Sequence, residues 1–338
     1  MNKSLIIGII AIAVIVGGVF LYTKNSSAPT ATSASIYCSS DGTFTDTKPI
    51  QSHRSYCLQS LSSVDNLKPN APVAYSFRII DDQGNTLKDF DTVHEKIMHF
   101  IAVRKDLVEF QHVHPDFNAS TGVFTLPDLT FRSDGIFRLF ADYTASAAQM
   151  GPGGMNPVRG QSPLATADLS DRASNGVKLE TMLFQDVNVG DMQKYRPEKV
   201  GTEEKSKTFG QYQISVAQQP AQITAGDPES LAFTIQKNGK PVKNLEQYLG
   251  ALGHAIILRE GTLDFIHAHA EGHGMSSMTT MSGTVPDVNQ EGMKMDTGGP
   301  TINFGTSFPD AGKYKIFLQF QHEGKVVTAD FVVNVERY

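Results

Sequence analysis

The sequence lacks the short motifs that mark common catalytic and nucleotide-binding sites. It contains no H-E-x-x-H zinc motif, no G-x-S-x-G nucleophile motif, no P-loop and no dinucleotide fingerprint. A metal-activated water would also need a positioned acid or base and a substrate pocket, and no pattern in the sequence indicates either. We therefore do not predict an enzyme, although a copper oxidase or a zinc hydrolase stays open as an alternative.

An excess of positive charge is also missing. The formal net charge is −6, and lysine and arginine form no basic stripe, so nucleic acid is not an expected partner. With 338 residues, 40% hydrophobic and 19% charged, the chain has a globular composition and a length that suits two domains. Short runs of Val, Thr, Phe and Tyr, broken by Gly, Asp, Asn and Pro, indicate a mostly β structure.

One hydrophobic run has the length of a membrane span. It extends from Leu5 to Tyr22 between Lys3 and Lys24, and as a helix it would measure roughly 27 Å. A cleaved signal peptide would have a shorter run followed at once by small residues, so we predict an uncleaved anchor, with cleavage as the alternative. No cysteine follows the run, which argues against a lipoprotein. The body would then lie in the cell envelope, outside the cytoplasmic membrane, behind a flexible Ser/Ala/Thr-rich tether.

Cysteine is scarce. Cys38 and Cys57 are the only two, and 18 residues lie between them. In an oxidising compartment we expect a disulfide, which would contribute about 3 kcal/mol on the chain-entropy model. A thiolate metal pair is the alternative, but this separation fits no compact C-x-x-C ligand spacing.

An internal repeat organises the rest of the chain. Two segments each carry three histidines, with spacings of thirteen and then two positions. The six residues are His99, His112, His114, His254, His267 and His269. The similarity extends upstream and also downstream, where the strand pattern from Gly135 matches the one from Gly312. Self-similarity on this scale predicts two homologous domains.

Each repeated segment is predicted to be a β-hairpin. Two-residue turns at Lys105-Asp106 and Glu260-Gly261 would place His99 opposite His112 and His254 opposite His267. Strand alternation then puts all three histidines of each segment on one face, close enough to converge. Three imidazoles suit copper or zinc and do not suit calcium or magnesium. Buried histidines held by water and backbone carbonyls are the alternative.

Methionine is concentrated after the second hairpin. The polar stretch 271–300 contains one histidine and five methionines, which are His273, Met275, Met278, Met281, Met293 and Met295. Thioethers are soft ligands that select Cu(I), and by the same logic Ag(I), over zinc. The alternative is that these methionines only fill gaps against the domain surface. Copper accounts for both the histidines and the methionines.

The first hairpin resembles a family of bacterial secreted or membrane-anchored proteins. The matching pattern is K-x-M-H-x-x-x-V-x-x-D-L-x-x-F-x-H-x-H-P, which runs from Lys96 to Pro115. The resemblance implies a β-sandwich fold and an association with copper or other heavy metals, and it adds Met98 as a candidate ligand. The second copy departs from the pattern at Gly253 and Ala270, which argues against assuming equal affinity at the two sites.

The sequence therefore predicts an all-β protein with two tandem immunoglobulin-like β-sandwich domains behind an N-terminal transmembrane helix. We expect an anchor at 1–24, a tether and cysteine loop at 25–65, a first domain at 66–197 and a second at 198–338. The expected function is copper binding for sequestration, tolerance or delivery to a metal-transport partner, with zinc or silver as other ions. A cell-surface interaction module with structural histidines is the alternative.

Overall fold

The fold is entirely β in the part of the chain that can be described. The computed structural model describes residues 36–38, 56–81, 84–146, 180–270 and 298–337. In those ranges every regular element is a strand, which confirms the predicted all-β class. No helix with the length and hydropathy of a membrane span occurs there. The predicted anchor at 1–24 lies outside these ranges, as does the tether up to residue 35.

The first ten strands form two facing sheets. One sheet has the strand order β1-β2-β3-β8-β7, and the other has β10-β9-β5-β6 with β4 paired to β9. The strands are β1 (Ile36–Cys38), β2 (Tyr56–Ser60), β3 (Val73–Asp81), β4 (Phe90–Asp91), β5 (His99–Arg104), β6 (Phe110–Val113), β7 (Asp116–Asn118), β8 (Val123–Leu129), β9 (Gly135–Ala145) and β10 (Glu180–Val189).

Aromatic residues fill the space between these two sheets. Alternation in β3 turns Tyr75, Phe77 and Ile79 inward, and all three are buried. The Phe77 ring lies 5.2 Å from Phe124 of its own sheet and 5.3 Å from Phe100 of the facing sheet, measured between centroids. Each such ring contributes about 2–3 kcal/mol through burial, which makes this layer the core of a β-sandwich.

The last ten strands repeat the arrangement. One sheet has the order β11-β12-β14-β15 with β18 paired to β14, and the other has β13-β20-β19-β16-β17. The strands are β11 (Ser206–Phe209), β12 (Tyr212–Gln219), β13 (Ile223–Thr224), β14 (Pro228–Lys237), β15 (Lys240–Pro241), β16 (His254–Arg259), β17 (Phe265–His269), β18 (Thr301–Ser307), β19 (Gly312–His322) and β20 (Lys325–Glu336). This sandwich has its own apolar core, with Phe233, Phe304 and Phe331 fully buried.

A third apolar cluster joins the two sandwiches. It consists of the outer-face residues of the two hairpin-bearing sheets, including Ile101, Val103, Phe140, Ile256, Leu258 and Phe317. The Phe110 ring stacks on Phe317 at 4.1 Å and 6° between planes, and the Phe265 ring lies 5.1 Å from Phe140. Because of this cluster, strand β5 is buried on both faces along its whole length.

The first sandwich begins earlier in the chain than predicted. Strands β1 and β2 belong to its sheet, although the sequence placed residues 25–65 in a tether and cysteine loop. All five residues of β2 are buried against the rest of the domain, because β2 pairs directly with β3. The five-residue run is too short to show a periodic pattern in the sequence, so only the pairing reveals it. The same pairing sets Cys38 opposite Cys57 in the backbone register.

The predicted hairpin register is wrong by two residues in both copies. The turns contain four residues rather than two, because the backbone N–H of Arg104 bonds to Glu109 and that of Arg259 bonds to Asp264. Leu107 and Leu263 adopt left-handed conformations, with φ of 63° and 61°, and both side chains are buried. Their burial in the apolar cluster between the domains stabilises the longer turn.

Candidate metal centres at the domain interface

The corrected register still gathers the three histidines of each hairpin. Ile256 pairs with His267 and His254 with His269, and in the first hairpin Ile101 pairs with His112. A shift of two residues preserves the face of every side chain, since alternation has a period of two. The predicted convergence is therefore retained, although His254 faces His269 rather than His267.

Three ring nitrogens meet at one point in each domain. One nitrogen from each histidine lies within 4.8 Å of the other two, both for His99, His112 and His114 and for His254, His267 and His269. In the first domain His99 Nδ1 lies 3.1 Å from His112 Nε2 and 3.2 Å from His114 Nε2. Ligands about 2.0–2.1 Å from a tetrahedral ion would be about 3.3–3.4 Å apart, so these spacings match a three-nitrogen site closely.

The outer nitrogens of the first histidine in each set are held by backbone carbonyls. His99 Nε2 donates to Val93 O at 3.2 Å, and His254 Nε2 donates to Tyr248 O at 2.9 Å. A carbonyl only accepts, so the proton of each neutral ring is on Nε2 and the lone pair on Nδ1. The Nδ1 lone pair of His99 therefore points toward the other two histidines of the first set, and that of His254 points toward the other two of the second set.

The outer nitrogens of the second histidine in each set are held across the domain interface. His112 Nδ1 lies 2.7 Å from Gln319 Oε1, and His267 Nδ1 lies 2.9 Å from Asp142 Oδ2. Gln319 Nε2 donates to Thr328, which identifies Oε1 as the atom that accepts from His112. Asp142 and Gln319 occupy equivalent positions of β9 and β19, so each domain orients a histidine of the other.

The inner nitrogens of the second set are buried and have no partner among the described residues. These atoms are His254 Nδ1, His267 Nε2 and His269 Nε2. A buried polar nitrogen without a partner costs about 1–3 kcal/mol, and a cation bound between these three nitrogens would satisfy all of them. They are the counterparts of the three nitrogens that contact one another in the first domain.

The imidazoles are neutral at neutral pH. Burial, reinforced by repulsion from neighbouring rings, holds the pKa values of His112 and His267 well below the ordinary imidazole value. Burial lowers the pKa of His114 to about 3 and that of His254 to about 4. Neutral rings keep the lone pairs that a metal ion requires, because protonated rings are not ligands.

Asp142 is an acidic group that contacts His267 across the domain interface. Burial raises its pKa to about 6, and the nearby His99 acts in the opposite direction. The carboxylate form still prevails at neutral pH. A small pocket beside it is lined by His94, His99, Thr144 and His267.

Sequence reasoning missed three residues of this region. Asp142 and Gln319 lie about 30 to 50 positions from their own hairpins, and only their matching places in the repeated strands link them. His94 stacks on His269 of the other domain at 3.5 Å between ring centroids. Its only sequence signal is its closeness to the first hairpin.

Met98 and His322 do not join the histidines. Met98 precedes His99 on the strand, so alternation turns it into the apolar core of the first sandwich, where it is fully buried. The prediction of Met98 as a ligand is wrong for this reason. His322 lies in the second sandwich, between the Tyr212 hydroxyl at 2.9 Å and Asn244 Oδ1 at 3.2 Å. The predicted ligands His273, Met275, Met278, Met281, Met293 and Met295 lie outside the described residues.

The fold and these histidine groups define a tandem β-sandwich protein with paired three-histidine clusters where its domains meet. A family described as a domain of unknown function (DUF8832) matches residues 58–150 and 207–337, and the chain belongs to this family. Among curated proteins, none matches the chain.

Solved structures with low similarity to the chain include other multidomain proteins. The Escherichia coli adhesin FdeC is 10% identical with a TM-score of 0.22, over 83% of this chain and 64% of the adhesin. A Salmonella alpha-2-macroglobulin is 12% identical with a TM-score of 0.20, over 84% of this chain and 15% of its own. Domains 4 and 5 of the S-layer protein SbsC are 10% identical with a TM-score of 0.19, over 83% and 96%. The chain thus spans less than two thirds of the first two proteins.

Proposed function

We propose that this protein binds two transition-metal ions between its sandwich domains, and that the bound metal is copper. The observation that carries the proposal is the direction of the histidine lone pairs. In each domain three neutral imidazoles, each buried or half-buried, turn one nitrogen toward a common point. Acceptors orient two of the three rings through their other nitrogen. Outer acceptors of this kind are typical of metal-binding histidines.

The ligand chemistry supports a borderline or soft ion. Imidazole nitrogen suits copper and zinc, whereas calcium and magnesium require oxygen ligands. The choice of copper over zinc rests on the sequence of residues 271–300, where five methionines offer thioether ligands for Cu(I). In this proposal Cu(II) is bound by histidine alone, and Cu(I) is bound by histidine and methionine. Ag(I) would use the same ligands as Cu(I).

The proposed role is sequestration or delivery of the ion rather than catalysis. The hydrophobic run from Leu5 to Tyr22 would hold the protein at the cytoplasmic membrane with its body in the cell envelope. A metal-transport protein in the same compartment is the expected partner. The metalloenzyme alternative has an acidic residue beside the histidines, but the Asp142 carboxylate is already engaged by His267.

The test is titration of the full purified chain with Cu(II) and with Cu(I). We expect two Cu(II) ions per chain, one lost in His112→Ala and the other in His267→Ala. His322→Ala removes a buried histidine outside the clusters and is the matched control, which should keep both ions. Folding of each variant is checked by circular dichroism. A folded wild-type chain that binds no copper would contradict the proposal.

A second candidate function is an interaction module whose histidines only join the domains. The observation that favours it is the contact of His112 with Gln319 and of His267 with Asp142, which connect the sandwiches without any ion. In this case His114 Nε2 supplies the proton that His99 Nδ1 accepts. Metal would then leave the stability unchanged, and His112→Ala would weaken the domain interface to the same extent with and without a chelator.

A further inference from the structure

Equivalent turns precede the histidine strands β5 and β16. In the first domain Val93 and Lys96 exchange backbone hydrogen bonds, and in the second Tyr248 and Ala251 do the same. The first residue of each turn tip has a positive φ, 49° at His94 and 55° at Leu249. These two tip residues therefore occupy matching positions, but only one of them can bind a metal ion.

His94 reaches across the interface to the histidines of the other domain. Its ring stacks on His269 at 3.5 Å and 22°, and it lies 5.6 Å from the ring of His254. The ring of His99, in its own domain, is further away at 6.4 Å. The first domain therefore places a fourth imidazole at the second histidine set.

The acceptors that cross the interface differ in charge. Asp142 gives the second set a carboxylate against His267, whereas Gln319 gives the first set only a neutral amide against His112. A carboxylate partner raises the basicity of a histidine ligand more than an amide does, because the negative charge stabilises a ring that donates electrons to a cation. Both differences between the sets, the extra imidazole and the negative charge, favour the second one.

We infer that the two histidine sets are unequal, and that the set His254, His267 and His269 is the tighter transition-metal site because the first domain completes it with His94 and Asp142. This inference rests on the proposed metal-binding function. Three nitrogens converge in each set, and a fourth from His94, whose ring stacks on His269, would give the second set the tetragonal coordination that Cu(II) prefers. The first domain thus determines the affinity of a site whose three core ligands all lie in the second.

Single-set variants of the full chain test this inference. His114→Ala disables the first set and leaves the second. The reverse variant combines His269→Ala with His267→Ala, because His94 would otherwise keep three imidazoles at the second set, and it is named the His269→Ala chain below. We expect the His114→Ala chain to bind Cu(II) at least about 10-fold more tightly than the His269→Ala chain in a competition titration, which is the lower end of the effect of an outer partner. Pulsed EPR should count four imidazoles on Cu(II) in the His114→Ala chain and three in the His269→Ala chain.

The contributions from the other domain are tested in these two backgrounds. Asp142→Asn should weaken the His114→Ala chain about 10- to 100-fold and the His269→Ala chain much less, and Asp142→Glu should restore part of the affinity. His94→Ala should lower the imidazole count in the His114→Ala chain from four to three. Leu249→Ala, at the matching turn position, should not change that count.

The outcomes separate this inference from the proposed function. If the wild-type chain binds no copper, the proposed function fails. If it binds two ions, but the two single-set variants have equal affinities and equal imidazole counts, the proposed function stands and the inequality is wrong. The inequality is also wrong if folded Asp142→Asn and His94→Ala chains, judged by circular dichroism, bind Cu(II) as their parents do.

Discussion

His267 of the second sandwich donates a hydrogen bond to Asp142 of the first across 2.9 Å, and both side chains are almost fully buried. The reciprocal contact joins His112 of the first sandwich to Gln319 of the second across 2.7 Å. Two domains that exchange equivalent contacts in this way are related by an approximate twofold axis. The orientation of the candidate ligands therefore depends on the two domains being docked.

Copper should stabilise the folded chain. An ion that binds the native state but not the unfolded state adds about 2.7 kcal/mol per site to the free energy of unfolding at 100 times its Kd. We expect urea unfolding to shift to higher denaturant in Cu(II) and to return when a chelator is added. The chain with both His112→Ala and His267→Ala should show no such shift. A shift of the same size in that variant would place the binding elsewhere.

The stacked ring pair at the domain interface should matter for stability. Phe317→Ala removes the ring that packs on Phe110, and we expect a loss of about 3 kcal/mol in the free energy of unfolding. Val326 is an exposed apolar residue on the neighbouring strand, and Val326→Ala should change stability by less than about 0.5 kcal/mol. Equal urea midpoints for the two variants would contradict the apolar interface.

The ion-pair cluster at Asp186 should give a pH-dependent contribution. Burial opposes ionisation of this carboxyl, but the hydrogen bonds and charges of Arg138 and Lys105 outweigh burial and hold its pKa below the ordinary value. A lowered native pKa stabilises the fold above the unfolded value of about 3.9, and this stabilisation is lost as the pH falls through the native value.

We expect Asp186→Asn to cost about 1 kcal/mol at neutral pH, a modest figure because the carboxyl is about a third exposed to solvent. The difference from wild type should shrink below pH 4, where the wild-type carboxyl also becomes protonated. Asp116→Asn, on the exposed strand β7, should show no comparable trend. A deficit that persists unchanged at low pH would contradict the charge argument.

The disulfide between Cys38 and Cys57 remains a prediction, and the backbone register is compatible with it. Cys38 and Cys57 are opposed in β1 and β2, the arrangement that a cross-strand bridge requires. Protein prepared under oxidising conditions should show no thiol reactivity until it is reduced. Reduction should lower the free energy of unfolding by about 3 kcal/mol. Reactive thiols in the folded, unreduced chain would favour the thiolate alternative.

The methionines of residues 271–300 should contribute to the affinity for Cu(I) and not to the affinity for Cu(II). Replacing Met275, Met278, Met281, Met293 and Met295 with leucine keeps the apolar volume and removes the thioethers. We expect Cu(I) affinity to fall and Cu(II) affinity to stay the same, because thioether sulfur is a soft ligand. Unchanged Cu(I) binding would show that these methionines only fill space.

The faces of the hairpins were predictable, but their turns were not. Alternation with a period of two assigned every histidine to its face, and the error of two residues in register left that assignment intact. The four-residue turns depend on Leu107 and Leu263 being buried between the domains, a contact that no local pattern contains. The same alternation explains why Met98 is not a ligand: as the residue before His99, its side chain faces the opposite side of the sheet and lies in the core.

The sequence by itself determined the all-β class, the duplication and the convergence of three histidines in each copy, because period and spacing are local properties of the chain. It did not determine that the two histidine sets lie side by side. The ring centroids of His99 and His267, from different domains, are 5.2 Å apart. Only the burial of the two hairpin-bearing sheets against each other brings them together, and the same docking supplies His94, Asp142 and Gln319. Contacts between distant segments depend on how whole surfaces pack, so the tertiary structure decided the composition of the site.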